Sequence, residues 1–167
     1  MSKNLSDFRI EKLHYGHAVR EFDCGDDNVN KYFYERSYED VEIKNAQVYV
    51  FTQREEIIGF YTISTKSVRF MPEGQKKELV YPVLLIGQLG VNKPFQGKAW
   101  GPLIINKALE KGDSTSKEVG CMGLIVETHN EKLIEKFYKP LGFIQVRNDK
   151  GRYTLFHRFS SEEGSAF

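Results

Sequence analysis

Residues Val83–Gly101 read VLLIGQLGVNKPFQGKAWG, and their order decides how the rest of the chain is parsed. Val83–Ile86 is apolar without alternation, the pattern of a strand buried on both faces. Gly87 and Gly90 sit near its end, where a bulge or a splay from a neighbour is expected. The chain then turns through Lys93–Gly101 and opens a helix. Pro102 fits the first turn of that helix, where no backbone donor is lost. The same proline predicts ordinary helical dihedrals at Ala99, three residues earlier. A helix start presents unpaired N–H groups and a partial positive charge, so it is a ready anion site. Small residues at Gly97, Ala99 and Gly101 would let a phosphate approach the main chain, and Lys93 and Lys98 add point charge. Three or four N–H donors to a charged group, at about 1.5–3 kcal/mol each, outweigh any single side chain. No Gly-Lys-Ser/Thr follows, which excludes a P-loop. No acidic partner follows a strand at the distance a dinucleotide fingerprint requires.

Outward from this segment the elements alternate. Phe8–Leu13 alternates like a first strand. Asp26–Val41 reads as one helix with Asp26 or Asp27 as N-cap and Val29, Tyr32, Phe33 and Arg36 on one face. Gln47–Gln53 and Ile57–Val68 form a hairpin around Arg54-Glu55-Glu56. Met71–Leu79 is polar loop, and the central strand spans Tyr81–Val91. The following helix runs to about Glu110, with Leu103, Ile104 and Ala108 as its buried stripe, and Gly112–Gly120 is loop. Cys121–Glu127 is a second buried strand, and Asn130–Tyr138 a short helix stopped by Pro140. Gly142–Arg147 and Arg152–Phe159 close the chain as a hairpin around Asn148-Asp149-Lys150-Gly151. The order β α β β β α β α β β predicts an α/β sheet with some parallel pairing.

The chain has 167 residues, which suits a single domain across residues 1–167. With 40% hydrophobic residues, 12 Phe and 9 Tyr, it can bury a real core, which excludes wholesale disorder. No apolar run approaches the roughly 20 residues of a membrane span, and Met1–Asp7 lacks the apolar stretch of a signal peptide. A cytoplasmic protein is expected. Cys24 and Cys121 could form one disulfide, but two cysteines in such a chain are usually free thiols. The four histidines, His14, His17, His129 and His157, show no ligand spacing beyond one i,i+3 pair, so no metal is expected. The net charge of +1 gives no global pull toward nucleic acid. Residues 1–45 carry 7 Lys/Arg against 10 Asp/Glu, and residues 46–110 carry 8 against 5. The middle third is therefore the better place for an anionic ligand.

The strand-loop-helix resembles the acyl-CoA pyrophosphate loop of the GCN5-related N-acetyltransferases (GNAT), Gln/Arg-x-x-Gly-x-Gly/Ala. Gln96 and Gly101 match its ends, and Ala99 stands where the central glycine is usual. A second resemblance lies in Asn130–Phe143, similar to the family's Asn…Tyr-x-x-x-Gly-Phe segment. Tyr138 and Phe143 keep the usual spacing, while Asn130 lies eight residues before Tyr138, one more than is common. Phe22-Asp23-Cys24-Gly25 before a helix, Gly87–Val91 and Phe137-Tyr138 look like the toxin subfamily that acetylates aminoacyl-tRNA. The resemblance covers about residues 8–159.

It implies a GNAT fold, a central mixed sheet flanked by helices and splayed at the acyl-CoA site. It implies acetyl-CoA as acyl donor without a metal, and transfer of the acetyl group to a primary amine such as an α-amine. Leu89, Gly90 and Val91 would offer backbone groups to the pantetheine arm. Gln96, Gly97, Lys98, Ala99, Trp100 and Gly101 would hold the pyrophosphate, and Asn130 would join the cofactor site. Tyr138 would serve the departing thiolate. A phenol, at about 10, sits above a thiol, at about 8.5, so a hydrogen bond that tightens with charge fits better than full proton transfer. Gln88 stands where a carboxylate base would be useful, and an amide cannot take a proton at neutral pH. Glu127 and His129 are the substitutes. An α-amine near 7.7–8.0 needs less help than a lysine near 10.4.

Three functions follow: an N-acetyltransferase on an amine, a toxin-like enzyme acting on aminoacyl-tRNA, and a non-catalytic acyl-CoA-binding regulatory domain. The acidic first third argues against a broad tRNA face, although Lys66, Arg69, Lys76, Lys77 and Lys93 could form a local one. A homodimer stays open, and no membrane partner is expected.

Overall fold

The computed structural model describes residues 7–72 and 74–160; most of the polar N-terminal heptad, residues 1–6, lies outside them. Chain order runs β1 (Arg9–Lys12), α1 (Asp27–Glu35), α2 (Ser37–Glu42), β2 (Gln47–Gln53), β3 (Glu56–Phe70), β4 (Leu79–Val91) and α3 (Trp100–Ser116). It continues with β5 (Gly123–Thr128), α4 (Glu131–Leu133), β6 (Ile144–Asp149) and β7 (Arg152–Arg158). The seven strands form one mixed sheet in the order β1-β2-β3-β4-β5-β7-β6. The alternation of elements read from the sequence therefore holds.

Two compact units divide the chain, Met1–Ser64 with Ile86–Ile105, and Thr65–Leu85 with Asn106–Phe167. The first has a core of Phe22, Phe33, Val48, Val50 and Phe60, with Phe33 stacked on Phe60 at 4.0 Å. The second is built on Val68, Phe70, Val83, Ile125 and Phe156. In the first unit β1, β2 and β3 pair antiparallel. Arg54 and Glu55 turn the β2–β3 hairpin with φ of 49° and 67°. Such a pair twists with the strands, although glycine and asparagine are the residues that adopt it without strain. A bulge lies between Phe51 and Thr52 of that hairpin.

Two helices differ from expectation. The segment expected as one helix over Asp26–Val41 is two, broken at Arg36 with φ −117°. The buried Ser37 hydroxyl donates to the Phe33 carbonyl at 2.6 Å, the acceptor that an uninterrupted ladder would give to a main-chain N–H. Asp26 caps α1, accepting from the N–H groups of Asn28 and Val29. Helix α3 does not end near Glu110 but reaches Ser116, so the first five residues of the expected loop are helical. Gly112 explains the extension: a Cβ there would come 2.5 Å from Phe159 Cζ, so the helix packs closely where glycine propensity alone would end it. Ile104, Ile105 and Ala108 are fully buried, whereas Leu103 is only half-buried.

Candidate active site

The end of β4 has a sidedness fixed by its hydrogen bonds. The Gln88 N–H donates to the Thr62 hydroxyl at 2.9 Å, and the Asn92 N–H donates to the Ile58 carbonyl at 2.8 Å. The Gly90 carbonyl lies against Gly59, 2.6 Å from where a Cβ would stand. Residues 88, 90 and 92 thus turn their backbone toward β3. Alternation along a strand then turns the N–H and C=O groups of Leu89 and Val91 the other way. Leu89 and Val91 therefore present main-chain groups away from β3, whereas Gly90 presents its carbonyl toward it.

Beyond β4 a short 3-10 turn, Lys93–Phe95, leads into residues 96–99 and then α3. Gly97 and Ala99 both have positive φ, 73° and 66°. The helical dihedrals expected at Ala99 are therefore not found. Pro102 restrains its own turn and the residue before it, but Ala99 lies outside the helix and turns the chain into it. Left-handed residues alternating along a loop point successive N–H groups into one concavity, an anion-binding arrangement. Gly97, Lys98 and Ala99 are exposed, and the Lys98 ammonium rests on the Pro94 carbonyl at 3.2 Å. Trp100 is 2% exposed and meets Phe8 and Phe95 edge-on, so its ring belongs to the core and only its backbone can serve an anion. The Gln96 side chain is already engaged: its Nε2 donates to the carbonyls of Cys24 and Val91 at 2.7 and 2.8 Å.

In the second unit Tyr138 is 7% exposed and lies edge-on to Phe137 and Phe143. Burial pushes its phenol up to about 12. Residues Ile134–Tyr138 form a π turn between α4 and the 3-10 turn Lys139–Leu141. A π turn holds one residue more than an α turn. That matches the one extra residue between Asn130 and Tyr138. Asn130 itself is the N-cap of α4, its side chain accepting from the Lys132 N–H at 3.1 Å.

The base candidates separate. Burial alone would raise the Glu127 carboxyl, but Lys66 at 2.7 Å and Arg152 on its other oxygen bring it below the usual range. A carboxylate held ionised by two cations is a poor proton acceptor. His129 is exposed at the end of β5. Burial raises the Cys24 and Cys121 thiols, and both are free, so neither is an activated nucleophile. Lys66 and Lys93, two of the candidate phosphate contacts, are paired with Glu127 and Asp23. Arg69, Lys76 and Lys77 are exposed.

One cluster escaped the sequence reading. Glu11 on β1 joins His14 and His17, with potential ligand atoms within 4.8 Å. Strand-to-turn proximity of this kind has no spacing rule. Each imidazole Nδ1 accepts a main-chain N–H, His14 from Gly16 and His17 from His14. A neutral ring accepting at Nδ1 carries its proton on Nε2, the opposite of what a cation at Nε2 requires.

The family model described as Acetyltransferase (GNAT) family matches residues 15–143. The chain belongs to the GNAT acetyltransferase family. Among solved structures it is similar to AtaTR bound with AcCoA, at TM-score 0.78 and 27% identity, covering 91% of this chain and 94% of that one. It is similar to a tyrosine-to-phenylalanine mutant of KacT, at TM-score 0.81 and 26% identity over 91% and 95% of the two chains. It is also similar to AtaT complexed with acetyl-methionyl-tRNAfMet, at TM-score 0.80 and 26% identity over 91% and 95%. As a GNAT protein the chain is an acetyltransferase, and the fold agrees with that family's mixed sheet flanked by helices. Among the described residues no helix is long and apolar enough to cross a membrane.

Proposed function

We propose that this acetyltransferase moves the acetyl group of acetyl-CoA to the α-amine of an aminoacyl ester on tRNA. Acetyl-CoA is the acyl donor. One observation carries the choice of acceptor: Glu127, one of the two substitute candidates for a base, is locked between Lys66 and Arg152. An acceptor that arrives largely unprotonated needs no strong base. An α-amine titrates near 7.7–8.0, and esterification of the adjacent carboxyl lowers it further, whereas a lysine amine near 10.4 would need deprotonation. The likeness to AtaT, whose complex holds acetyl-methionyl-tRNAfMet, supports the same reading. Such an acceptor would place the enzyme in the cytoplasm.

In this reading the N–H groups of residues 97–101 hold the pyrophosphate, with Gln96 shaping the loop from behind. Leu89 and Val91 line the pantetheine arm. The amine attacks the thioester carbonyl, and Tyr138 donates a hydrogen bond to the departing sulfur. With its phenol near 12, full transfer of the proton to a thiolate near 8.5 would be uphill by about 5 kcal/mol. A hydrogen bond that strengthens as charge develops is therefore its contribution.

Labelled acetyl-CoA, offered with mixed aminoacyl-tRNA and separately with free amines, tests the proposal. Label in alkali-labile acetyl-aminoacyl-tRNA is expected. Label only in free amines would move the acceptor to another amine, and binding without transfer would favour the regulatory reading.

A further inference from the structure

Ahead of α1 the strap Phe22–Asp26 is cross-bonded to the connection between β4 and α3. The Asp23 N–H donates to Asn92 Oδ1 at 3.1 Å, and the Asp23 carbonyl accepts from the Lys93 N–H at 2.9 Å. Asp23 Oδ2 faces the Lys93 ammonium at 3.1 Å, while Oδ1 accepts from Gly25 N–H and Asn30 Nδ2, each at 2.9 Å. The buried Asn30, on α1, accepts in turn from the Cys24 N–H at 2.9 Å. Buried Asn92 returns its own amide to the Ile57 carbonyl of β3 at 2.9 Å. Gln96 completes the set at the mouth of the loop, one N–H on Cys24 of the strap and the other on Val91 of β4.

The strap also lies over β4 where the acyl arm would run. A Cβ on Gly90 would meet Phe22 Cζ at 3.0 Å, Val29 Cγ1 at 3.1 Å and Cys24 Cβ at 3.3 Å. Strap, start of α1, end of β4 and phosphate loop are thus joined through a few polar side chains. An amide nitrogen has two N–H donors, and Gln96 uses both on carbonyls of two different segments. A carboxylate at 96 could donate neither.

We propose that Gln96 is a positioning residue that makes ordering of the strap and binding of acetyl-CoA one event. It acts by tying the Cys24 carbonyl to the Val91 carbonyl, not by touching the pyrophosphate. The proposal rests on the loop at 97–101 being the acetyl-CoA site. Reciprocity follows: whatever steadies the loop steadies the strap, and loosening the strap weakens the cofactor by the same factor. Loss of both exposed hydrogen bonds should weaken acetyl-CoA by roughly tenfold.

Amide hydrogen exchange with and without acetyl-CoA separates the possibilities, read at residues 97–103 and 22–30 in the wild type, Gln96→Ala and Gln96→Arg. In the wild type, acetyl-CoA should slow exchange in both segments. In Gln96→Ala it should still slow 97–103, leave 22–30 nearly as fast as without ligand, and bind about tenfold more weakly. Gln96→Arg, which keeps two N–H donors on one edge, should restore protection of 22–30. Asp23→Ala, which loosens the strap from its own side of the network, should weaken acetyl-CoA in a manner non-additive with Gln96→Ala. Protection at 97–103 without protection at 22–30 in the wild type would overturn the coupling and leave the cofactor site standing. Undiminished protection of 22–30 in Gln96→Ala would do the same. Absence of protection at 97–103 in the wild type would overturn the site and the coupling together.

Discussion

The Leu103 N–H donates to the Ala99 carbonyl at 3.4 Å, and Ala99 accepts this first bond of α3 from the left-handed region, at φ 66°. A methyl-bearing residue there costs about 1–2 kcal/mol relative to its relaxed conformation. Ala99→Gly removes that strain and returns about 0.4–1 kcal/mol to the unfolded chain as entropy. The net expectation is a gain of up to about 1 kcal/mol, or about 2–4 °C in melting temperature for a chain of this size. Thermal unfolding followed by circular dichroism checks it, and a lower melting temperature would mean that Ala99 is not left-handed in solution.

Gly59 should be intolerant of any side chain. A Cβ would lie 2.6 Å from the Gly90 carbonyl oxygen and 2.7 Å from Ile104 Cδ1, so β3 and β4 would have to part. Gly59→Ala should destabilise by about 1–3 kcal/mol, the range of overpacked cores. It should also disturb the adjoining Leu89–Val91 edge, so acetyl-CoA affinity should fall with stability. Urea unfolding and a binding isotherm on the same preparation measure both.

Glu127→Gln distinguishes a base from a structural anion. With Lys66 and Arg152 holding its carboxyl low, Glu127 has no proton to exchange near neutrality. The variant should keep kcat within about tenfold, well short of the 10²–10⁴-fold loss of a true general base, and should show the wild-type pH profile above pH 6. Loss of the acid limb together with kcat would assign it the base role after all.

His17 should make the fold acid-sensitive. Burial and the neighbouring His14 lower its pKa, partly opposed by Glu11 and a backbone hydrogen bond. The unfolded chain therefore binds the proton more readily. The stability tied to neutral His17 is present above the unfolded value, about 6.5, and is lost as pH falls below it. Its Nε2 is buried without a partner among the described residues, and protonation at Nδ1 would collide with the His14 N–H. His17→Asn should show a smaller drop in melting temperature than the wild type between pH 7.5 and 5.5; parallel curves would assign the acid response to other groups.

Much of this architecture is legible because β4, the loop and α3 carry independent signals. An unbroken apolar strand, small residues at 97, 99 and 101, and a proline at 102 all agree on one arrangement. The hairpins are legible from alternation, and the extra residue before Tyr138 is visible as a spacing and emerges as a π turn. What escapes the sequence depends on tertiary partners. Ser37 breaks a helix because its hydroxyl finds the Phe33 carbonyl, and Gly112 continues one because Phe159 lies against it. Glu11 meets two histidines from a different element. Glu127 reads as one of two substitute bases until Lys66 and Arg152, distant in sequence, are seen on it. Gln96 reads as a phosphate ligand until its amide is seen on two carbonyls.

Tyr138→Phe tests the central claim most directly, because it deletes one hydroxyl and leaves the packing with Phe137 and Phe143 in place. With acetyl-CoA and aminoacyl-tRNA as substrates, single-turnover acetyl transfer should fall by roughly 10²–10⁴-fold. Acetyl-CoA affinity, measured calorimetrically on the same protein, should stay within about threefold, since a hydroxyl that acts on developing charge contributes little to ground-state binding. An unchanged transfer rate would contradict the account and return Tyr138 to the core of the second unit.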